Sequence, residues 1–256
     1  MKVLVTANRK GGSGKTSTAF AVGAGLARTG ARVLFLDLDS QANLTWDIRA
    51  DKTKPGAMEI LTGKATVQAV IQHLEQWDAI SPGAALEAAD ILIKGLGKEY
   101  ALKRALKAVS DKYDYCIIDT GPALSMATIN ALTAADGVLM TAQPERHSIE
   151  GIALLYDILK QVRSRSNTDL KIYGIVITRY KSRGCLHRDM VSNIEAVAGM
   201  IGTKIYKTPI RECLAIQESE EQRTEIYKYS PRSNGARDYK ALLEDLLEDM
   251  KGDNEQ

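Results

Sequence analysis

The sequence is poor in aromatic residues, cysteine and histidine. Aromatic side chains make up 5% of the 256 residues, against 45% for apolar residues as a whole, so aliphatic side chains must build most of the core. The three cysteines form no C-x-x-C pair, and an odd number of dispersed cysteines fits a reduced, cytoplasmic protein. The three histidines are too widely scattered to predict a metal site built from imidazoles.

Membrane and secretion signals are also missing from the sequence. No apolar run approaches the roughly 20 residues that a helix needs to cross a bilayer. The first apolar strand pattern begins at residue 2, which leaves no space for a signal peptide before it. We therefore expect a cytoplasmic protein that has no membrane partner.

The net charge of +2 is unevenly distributed along the chain. Residues 1–170 carry 20 Lys and Arg against 18 Asp and Glu, whereas residues 171–240 carry 13 against 8, a net charge of +5. Residues 241–256 carry one Lys against six acids. A basic segment followed by an acidic end is compatible with a polyanionic partner, although ordinary solvated surface charge is the simpler explanation.

The most informative stretch of the chain is the glycine-rich run KGGSGKT at residues 10–16. It lies between an apolar strand pattern, residues 3–7, and small and apolar residues, 17–27, that suit a helix packed on a sheet. This is the context of a phosphate-binding loop. Glycines let backbone N–H groups approach phosphate oxygens, and the helix N-terminus adds partial positive charge. Lys15 can reach the β- and γ-phosphates, and the Thr16 hydroxyl can bind Mg²⁺.

Apolar, β-branched runs alternate with helical patterns along the chain. The strand patterns lie at residues 2–7, 32–37, 115–119, 137–141, 172–178 and 203–206, with a shorter one near 79–80. The helical patterns lie at residues 15–28, 98–110, 148–163, 189–199 and 237–250. The strand patterns are nearly continuous in apolar residues, as is typical of strands covered on both faces. We predict an α/β fold, a doubly wound and mostly parallel sheet with helices on both faces, in a single domain over residues 1–256.

Carboxylates at two predicted strand ends complete a nucleotide site. Asp119 closes the apolar strand at residues 115–119, the Walker B arrangement that presents a carboxylate to Mg²⁺. Asp37 and Asp39 lie at the end of the strand that begins at residue 32, and alternation places them on the same side of the extended chain. We expect Asp37 near the metal and Asp39 further out, where it can position a water molecule.

The loop departs from the standard P-loop pattern. Arg9 stands where the first glycine of G-x-x-x-x-G-K-[ST] belongs, and a second lysine, Lys10, opens the loop. This arrangement resembles the deviant Walker A motif of the ParA/MinD family of ATPases. Ser40 and Gly121 replace prolines that are typical of that family, beside its switch regions. The similarity extends to DLDSQ (37–41), DTGP (119–122), NALTAAD (130–136), QPE (143–145), PIR (209–211) and SPRSNGARDY (230–239).

The resemblance implies a P-loop ATPase that uses ATP and Mg²⁺. It implies catalytic roles for Lys10, which reaches the nucleotide of a second subunit, for Lys15, and for Asp39, which orients the attacking water. The expected nucleotide contacts are Lys10, Gly11, Gly12, Ser13, Gly14, Lys15, Thr16 and Ser17, with Thr178, Arg179 and Pro209 as candidates beside the adenine. The expected Mg²⁺ site is formed by Thr16, Asp37 and Asp119.

Within this family, the sequence favours a short ParA-type partition ATPase. A MinD-like membrane ATPase would carry a basic C-terminal amphipathic helix, but the polar face of residues 239–250 is acidic and would be repelled by anionic lipid. The cysteines do not match the iron–sulfur pattern of nitrogenase-reductase-like relatives. Two alternatives stay open: a MinD-like positioning or regulatory ATPase that acts through a protein partner without DNA, and a P-loop metabolic ligase.

The resemblance to ParA implies three partners: a second copy of the chain in an ATP-dependent dimer, non-specific DNA, and a ParB-like centromere-binding protein that stimulates hydrolysis. Because the chain begins at the first strand, we expect no N-terminal helix-turn-helix domain and no operator specificity. Phosphate contacts would then carry the affinity for DNA without sequence information. The candidate DNA-binding residues are Lys181, Arg183, Arg188, Arg211, Arg223, Arg232 and Arg237.

Overall fold

The structure is a computed structural model that describes residues 1–181 and 185–252. Its strands are β1 (Lys2–Ala7), β2 (Val33–Leu38), β3 (Gln72–His73), β4 (Asp78–Ile80), β5 (Tyr115–Thr120), β6 (Gly137–Ala142) and β7 (Lys171–Ile177). Its helices are α1 (Lys15–Arg28), α2 (Asn43–Asp47), α3 (Ala57–Leu61), α4 (Val67–Val70), α5 (Ala89–Leu92), α6 (Ala101–Lys107), α7 (Met126–Ala134), α8 (Arg146–Arg165), α9 (Cys185–Met200), α10 (Leu214–Glu221), α11 (Ile226–Tyr229) and α12 (Asn234–Gly252). Short 3₁₀ turns lie at Leu86–Ala88 and Lys98–Tyr100.

The strands of the described residues form one sheet in the order β3–β4–β2–β5–β1–β6–β7. Every neighbouring pair is parallel except β3 and β4, which form a short antiparallel pair. Strand β1 lies between β5 and β6, so the chain builds one side of the sheet first and the other side afterwards. In doubly wound sheets, ligands bind at the carboxyl ends of the strands at such a switch point. The predicted α/β architecture is confirmed.

Strands β1 and β2 show that both faces of the sheet are covered. Val3 and Val5 lie in one apolar cluster, whereas Leu4 lies in a second cluster on the opposite face together with Phe35. This alternation is the two-residue period of a strand that is buried on both sides. Helix α1 approaches β2 closely at Gly23, where a Cβ would lie 2.3 Å from the Phe35 ring. The close approach fixes α1, and therefore the loop before it, against the sheet.

Helix α12 packs on the sheet layer through its apolar stripe. Tyr239, Leu242, Leu246 and Met250 are all buried. The Tyr239 hydroxyl lies 3.4 Å from the Thr18 hydroxyl on α1. The stripe is therefore a packing surface. Among the described residues, no helix is both long enough and apolar enough to cross a bilayer.

Some elements differ from the prediction. Residues 203–206 form only an isolated bridge between Ile205 and Ile175. The amide groups of Tyr206 and Ile210 donate to β7 carbonyls that are two residues apart, so the longer chain segment between the donors breaks the ladder. Residues 98–110 divide into a 3₁₀ turn and the shorter α6. Helices α7 and α10 were not predicted, because at nine and eight residues they are too short to repeat a helical period clearly.

Candidate functional site

The glycine-rich loop joins β1 to α1 at the carboxyl end of the sheet. Gly12 and Gly14 have φ angles of +70° and +81°, a backbone conformation that residues with a Cβ rarely adopt. Gly14 immediately precedes α1, and no side chain of the described residues caps that end of the helix. The first N–H groups of α1 therefore point toward the loop, and an anion can accept their hydrogen bonds.

Side chains from neighbouring strand ends hold the loop in place. The Thr178 hydroxyl donates to the Ser13 carbonyl at 2.8 Å, and the Ser13 and Thr141 hydroxyls lie 3.1 Å apart. The Gln143 side-chain amide donates to the Gly12 carbonyl at 2.5 Å. Thr178, which was a candidate for the adenine site, thus supports the loop. Its methyl carbon would lie 3.1 Å from a Cβ at position 14, so this packing also favours glycine there.

Lys15 is buried beneath the loop, with 5% of its surface exposed. Its ammonium group donates to the carbonyl of Lys10 at 3.1 Å. Burial lowers the pKa of Lys15, and the negative charges of Asp119 and Asp39 oppose that shift. A buried ammonium enclosed by main-chain groups is a strong anchor for phosphate, because the low local dielectric strengthens the charge interaction.

Lys10 has a partly exposed side chain that contacts residues outside the loop. Its backbone N–H donates to Asn8 Oδ1 at 2.8 Å. Its ammonium group lies 3.4 Å from Gln143 Oε1 and forms an ion pair with Glu145. The two lysines of the motif therefore occupy distinct positions, one inside the loop and one at its rim.

Asp119 lies at the predicted Walker B position, buried at the end of β5. Its Oδ2 accepts a hydrogen bond from the Thr16 hydroxyl at 2.6 Å, and its Oδ1 accepts one from the Thr6 hydroxyl at 3.3 Å. Burial raises the pKa of Asp119, and the neighbouring charge of Asp37 adds to the effect. The side chains of Thr16 and Asp119 are therefore in contact, and their binding of Mg²⁺ stays a prediction.

Asp37 and Asp39 occupy different environments. In the sheet register Asp37 lies opposite Asp119, and its carboxylate accepts hydrogen bonds from Asp39 N, Thr45 N and the Thr45 hydroxyl at 2.7–3.0 Å. Asp37 therefore fixes the segment that leads into α2, and its direct binding of Mg²⁺ stays a prediction. Asp39 is half-buried and lines the cleft beside the loop. It also lies near the loop after β5, because a Cβ on Gly121 would be 3.4 Å from its carboxyl group.

The oxygen donors beside the loop fit a magnesium ion that is also bound by the phosphates of a nucleotide. Among the described residues there is no cluster of three His, Cys, Asp or Glu side chains that could hold a metal ion. Mg²⁺ commonly uses one or two protein oxygens together with water and substrate phosphates. The Thr16 hydroxyl and the Asp119 carboxylate supply such a pair, and the buried negative charge of Asp37 and Asp119 would be neutralised by a divalent cation.

A cleft of about 720 Å³ opens beside the loop. Its walls come from the loop itself, from α2, from α10 and from the segment after β7. Thr178 and Arg179 line the cleft, and their contact with the adenine stays a prediction. Ile210 and Arg211 also line it, whereas Pro209 is not among the described lining residues. A contact between Pro209 and the adenine stays a prediction.

Two acidic residues in the cleft were missed by the sequence analysis. Asp47, at the end of α2, is 6% exposed, and burial raises its pKa to about 8, with the charge of Glu220 as the next cause. Burial also raises the pKa of Glu220 on α10, and a hydrogen bond from the Ser17 side chain opposes this shift. Neither residue lies in a recognisable motif, and only the packing of α2 and α10 around the cleft brings them together.

The candidate DNA-binding residues do not share one environment. Arg211 donates to the buried Asp238 carboxylate at 2.9 and 2.5 Å, and Lys181 pairs with Glu212 at 2.9 Å. The Arg223 guanidinium lies 4.4 Å from the centre of the Trp46 ring. Arg232 and Arg237 are exposed near the start of α12. Arg183 and the side chain of Arg188 lie outside the described residues.

The chain is similar to known proteins in both sequence and fold. A family model described as an AAA domain matches residues 1–172. The sporulation initiation inhibitor protein Soj of Bacillus subtilis is 37% identical over 96% of this chain and 98% of its own length. The chromosome-partitioning ATPase Soj of Thermus thermophilus is 33% identical over 95% of this chain and 94% of its own. A structure of Mycobacterium smegmatis cobyrinic acid a,c-diamide synthase with a bound ATP analogue and magnesium has a TM-score of 0.84 at 32% identity, over 98% of this chain and 96% of that chain.

Proposed function

We propose a function from the premise that the chain belongs to the ParA/Soj family of partition ATPases. In this proposal, the protein segregates plasmid or chromosomal DNA through a cycle of ATP binding, dimerisation and hydrolysis. ATP and Mg²⁺ are its cofactors, and ATP hydrolysis is its reaction. The observation that carries the proposal is the convergence of Lys15, the Thr16–Asp119 pair and Asp39 on one glycine-rich loop.

Each of these groups has a separate task in hydrolysis. The loop amides and Lys15 hold the β- and γ-phosphates and stabilise the charge that develops on them. Thr16 and Asp119 would hold Mg²⁺, which neutralises charge on the phosphate oxygens when it is bound. Asp39 lines the cleft without being tied into the sheet, so it is the carboxylate best placed to orient a water molecule in line with the γ-phosphate.

Dimerisation is the proposed switch that reports the state of the nucleotide. Lys10 lies at the rim of the loop with 32% of its side chain exposed, and it can extend toward a second subunit. In the proposed closed dimer, Lys10 of each subunit contacts the nucleotide of the other. Loss of the γ-phosphate removes this contact and loosens the dimer.

Non-specific DNA binding is proposed for the closed dimer. The net charge of +5 over residues 171–240, and the exposed Arg232 and Arg237, support a surface that attracts phosphate. A dimer presents twice as many such contacts as one subunit. A ParB-like centromere-binding protein would stimulate hydrolysis and so release the DNA. Association with the nucleoid would then be limited to the ATP-bound form.

Size-exclusion chromatography with light scattering tests the proposed switch. We expect a dimer in Mg²⁺ with ATP or a non-hydrolysable ATP analogue, and a monomer in Mg²⁺ with ADP. A monomer under all conditions would contradict the proposed cycle. A dimer that forms with ATP but binds no DNA at low salt would favour the alternative of a MinD-like regulator that acts through a protein partner alone.

A P-loop metabolic ligase is a second candidate, because the similar Mycobacterium smegmatis structure carries the name of a diamide synthase. A ligase couples ATP hydrolysis to its acid substrate, whereas a partition ATPase has basal turnover that its macromolecular partners change. Phosphate release measured with and without DNA, in the absence of any organic acid, separates the two. No turnover until a carboxylic acid is added would favour the ligase.

A further inference from the structure

We infer that Glu145 is a positioning residue for Lys10, which holds the Lys10 ammonium group within its own subunit until ATP-dependent closure draws it across the dimer interface. The inference rests on the proposed function, because it requires the Lys10 ammonium group to move from Glu145 to the nucleotide of a second subunit. It adds a residue to the switch that neither the sequence motif nor the similarity to known proteins assigns.

The main chain at Lys10 is fixed from two directions. Its N–H donates to Asn8 Oδ1 at 2.8 Å, and its carbonyl accepts from the Lys15 ammonium at 3.1 Å. Asn8 is itself anchored, because its side-chain amide donates to the Thr141 carbonyl on β6. With the backbone held in this way, a change in the reach of Lys10 must come from rotation of its side chain.

The Lys10 ammonium group is held by two residues that follow β6. Glu145 forms an ion pair with it, and Gln143 Oε1 lies 3.4 Å away. The two side chains of the ion pair are 32% and 48% exposed. A pair that is open to water contributes little to stability and is screened by salt, so it can hold the lysine and still release it.

Glu145 lies at the start of a helix, where its carboxylate has an alternative hydrogen-bonding role. Glu145 is the residue immediately before α8, where a side-chain oxygen can accept a hydrogen bond from the first N–H groups of the helix. No such side-chain cap is formed at this helix start, which lies within the described residues. The carboxylate is turned toward Lys10 instead, although a capping alternative lies close at hand.

Nucleotide binding can weaken the contacts that hold Lys10 in place. Lys15 donates to the Lys10 carbonyl, and the same ammonium group is the expected partner of the β- and γ-phosphates. Phosphate in the loop therefore competes for Lys15 and weakens one of the two bonds that hold the backbone of Lys10. The release of Lys10 from Glu145 is then the remaining step before the side chain can reach a second subunit.

The test is dimerisation of a Glu145→Gln variant with Mg²⁺ and a non-hydrolysable ATP analogue. Each dimer must release two Lys10 side chains, so removing a partly exposed ion pair from both subunits should tighten the dimer by roughly 2- to 30-fold. Glu150→Gln is the matched control, because it removes the same charge from the first turns of α8 at a residue that is 68% exposed and lies 3.8 Å from His147. Sedimentation velocity gives the dissociation constants.

Two further measurements separate positioning from a general change in charge. Glu145→Gln should have no effect on dimerisation in a Lys10→Ala background, since the residue acts through Lys10. The difference between wild type and Glu145→Gln should also shrink as salt rises, because the ion pair is screened. A Glu145→Gln dimer that is weaker than wild type, equal to it, or matched by Glu150→Gln would overturn the inference. If the wild-type chain formed no dimer with the analogue, the proposed function itself would fail.

Discussion

Asp39 and Asp119 both lie beside the loop, but only Asp119 is bonded to it. Asp119 is buried, and its carboxylate accepts a hydrogen bond from the Thr16 hydroxyl. Asp39 is half-buried, and among the described residues its carboxylate accepts only the nearby backbone N–H of Gln41, at 3.0 Å. A metal site needs the first kind of carboxylate, because fixed ligands hold the ion. Positioning of a water molecule needs the second kind, because the carboxylate must reach into the cleft.

Replacing Asp39 by alanine should therefore separate ATP binding from ATP hydrolysis. The loop, Lys15 and the Thr16–Asp119 pair stay intact, so Mg²⁺-ATP should still bind and an ATP-bound dimer should accumulate. Turnover should fall by about 10²-fold or more, because no group orients the water. Phosphate release and size-exclusion chromatography give the two readouts. Lys15→Ala is the control that should lose ATP binding itself, and wild-type turnover in Asp39→Ala would move the role to Asp37.

Asp47 should make the stability of the protein depend on pH. Burial raises its folded-state pKa from 3.8 to about 8, so between about pH 4 and pH 8 the folded protein binds more protons at this site than the unfolded chain does. The free energy of unfolding contributed by this residue therefore falls as pH rises through that window.

Thermal unfolding of Asp47→Asn measures this dependence. Asparagine does not titrate, so the Tm of the variant should fall less than that of wild type between about pH 5 and about pH 8.5, with each 1 kcal/mol worth about 2–4 °C. Equal pH dependence in the two proteins would show that Asp47 does not titrate in this range.

Residues whose chemistry is local were predictable from the sequence. The loop, Thr16 and the strand-end Asp119 are defined by a few neighbours along the chain, and the structure brings them together. Asp47 and Glu220 were not predictable, because they are 173 positions apart and meet only through the packing of two short helices around the cleft. Glu145 was visible as part of QPE, but its contact with Lys10 is a tertiary feature.

Among the helices and strands, prediction succeeded where the apolar pattern was long. Helix α1 and strand β1 have the bounds that the sequence predicted, because the glycine-rich loop between them marks the end of β1 and the start of α1. Helices α7 and α10 were missed because they are short, and β3 is a two-residue strand that no pattern can reveal. The strand predicted at 203–206 had the right composition but bonds to β7 with mismatched spacing.

Helix α12 offers a test of the packing without disturbing the nucleotide site. Leu246 is fully buried among residues of the sheet face that α1 covers. Leu246→Ala should lower the free energy of unfolding by about 2–5 kcal/mol through lost burial and a residual cavity. Urea unfolding measures the change, with the exposed Glu244→Ala as a control expected to stay within about 0.5 kcal/mol. A Leu246→Ala protein as stable as wild type would mean that α12 is not docked as described.

In the whole molecule, dimerisation would link the nucleotide site to the basic surface. One subunit offers scattered basic residues, several of which already have partners, such as Arg211 with Asp238. Two subunits held together would double the number of phosphate contacts. Since log affinity falls with log salt by about 0.9 for each phosphate neutralised, doubling the contacts also doubles the salt slope. Lys10→Ala should then weaken DNA binding without removing any DNA contact.

Fluorescence anisotropy tests whether DNA binding is switched by ATP. Two unrelated DNA duplexes are titrated with the protein across a salt series in Mg²⁺, with ATP, with ADP and without nucleotide. We expect tight binding only with ATP, equal affinity for the two duplexes, and a steep loss of affinity as salt rises. Equal affinity with and without ATP would contradict the switch.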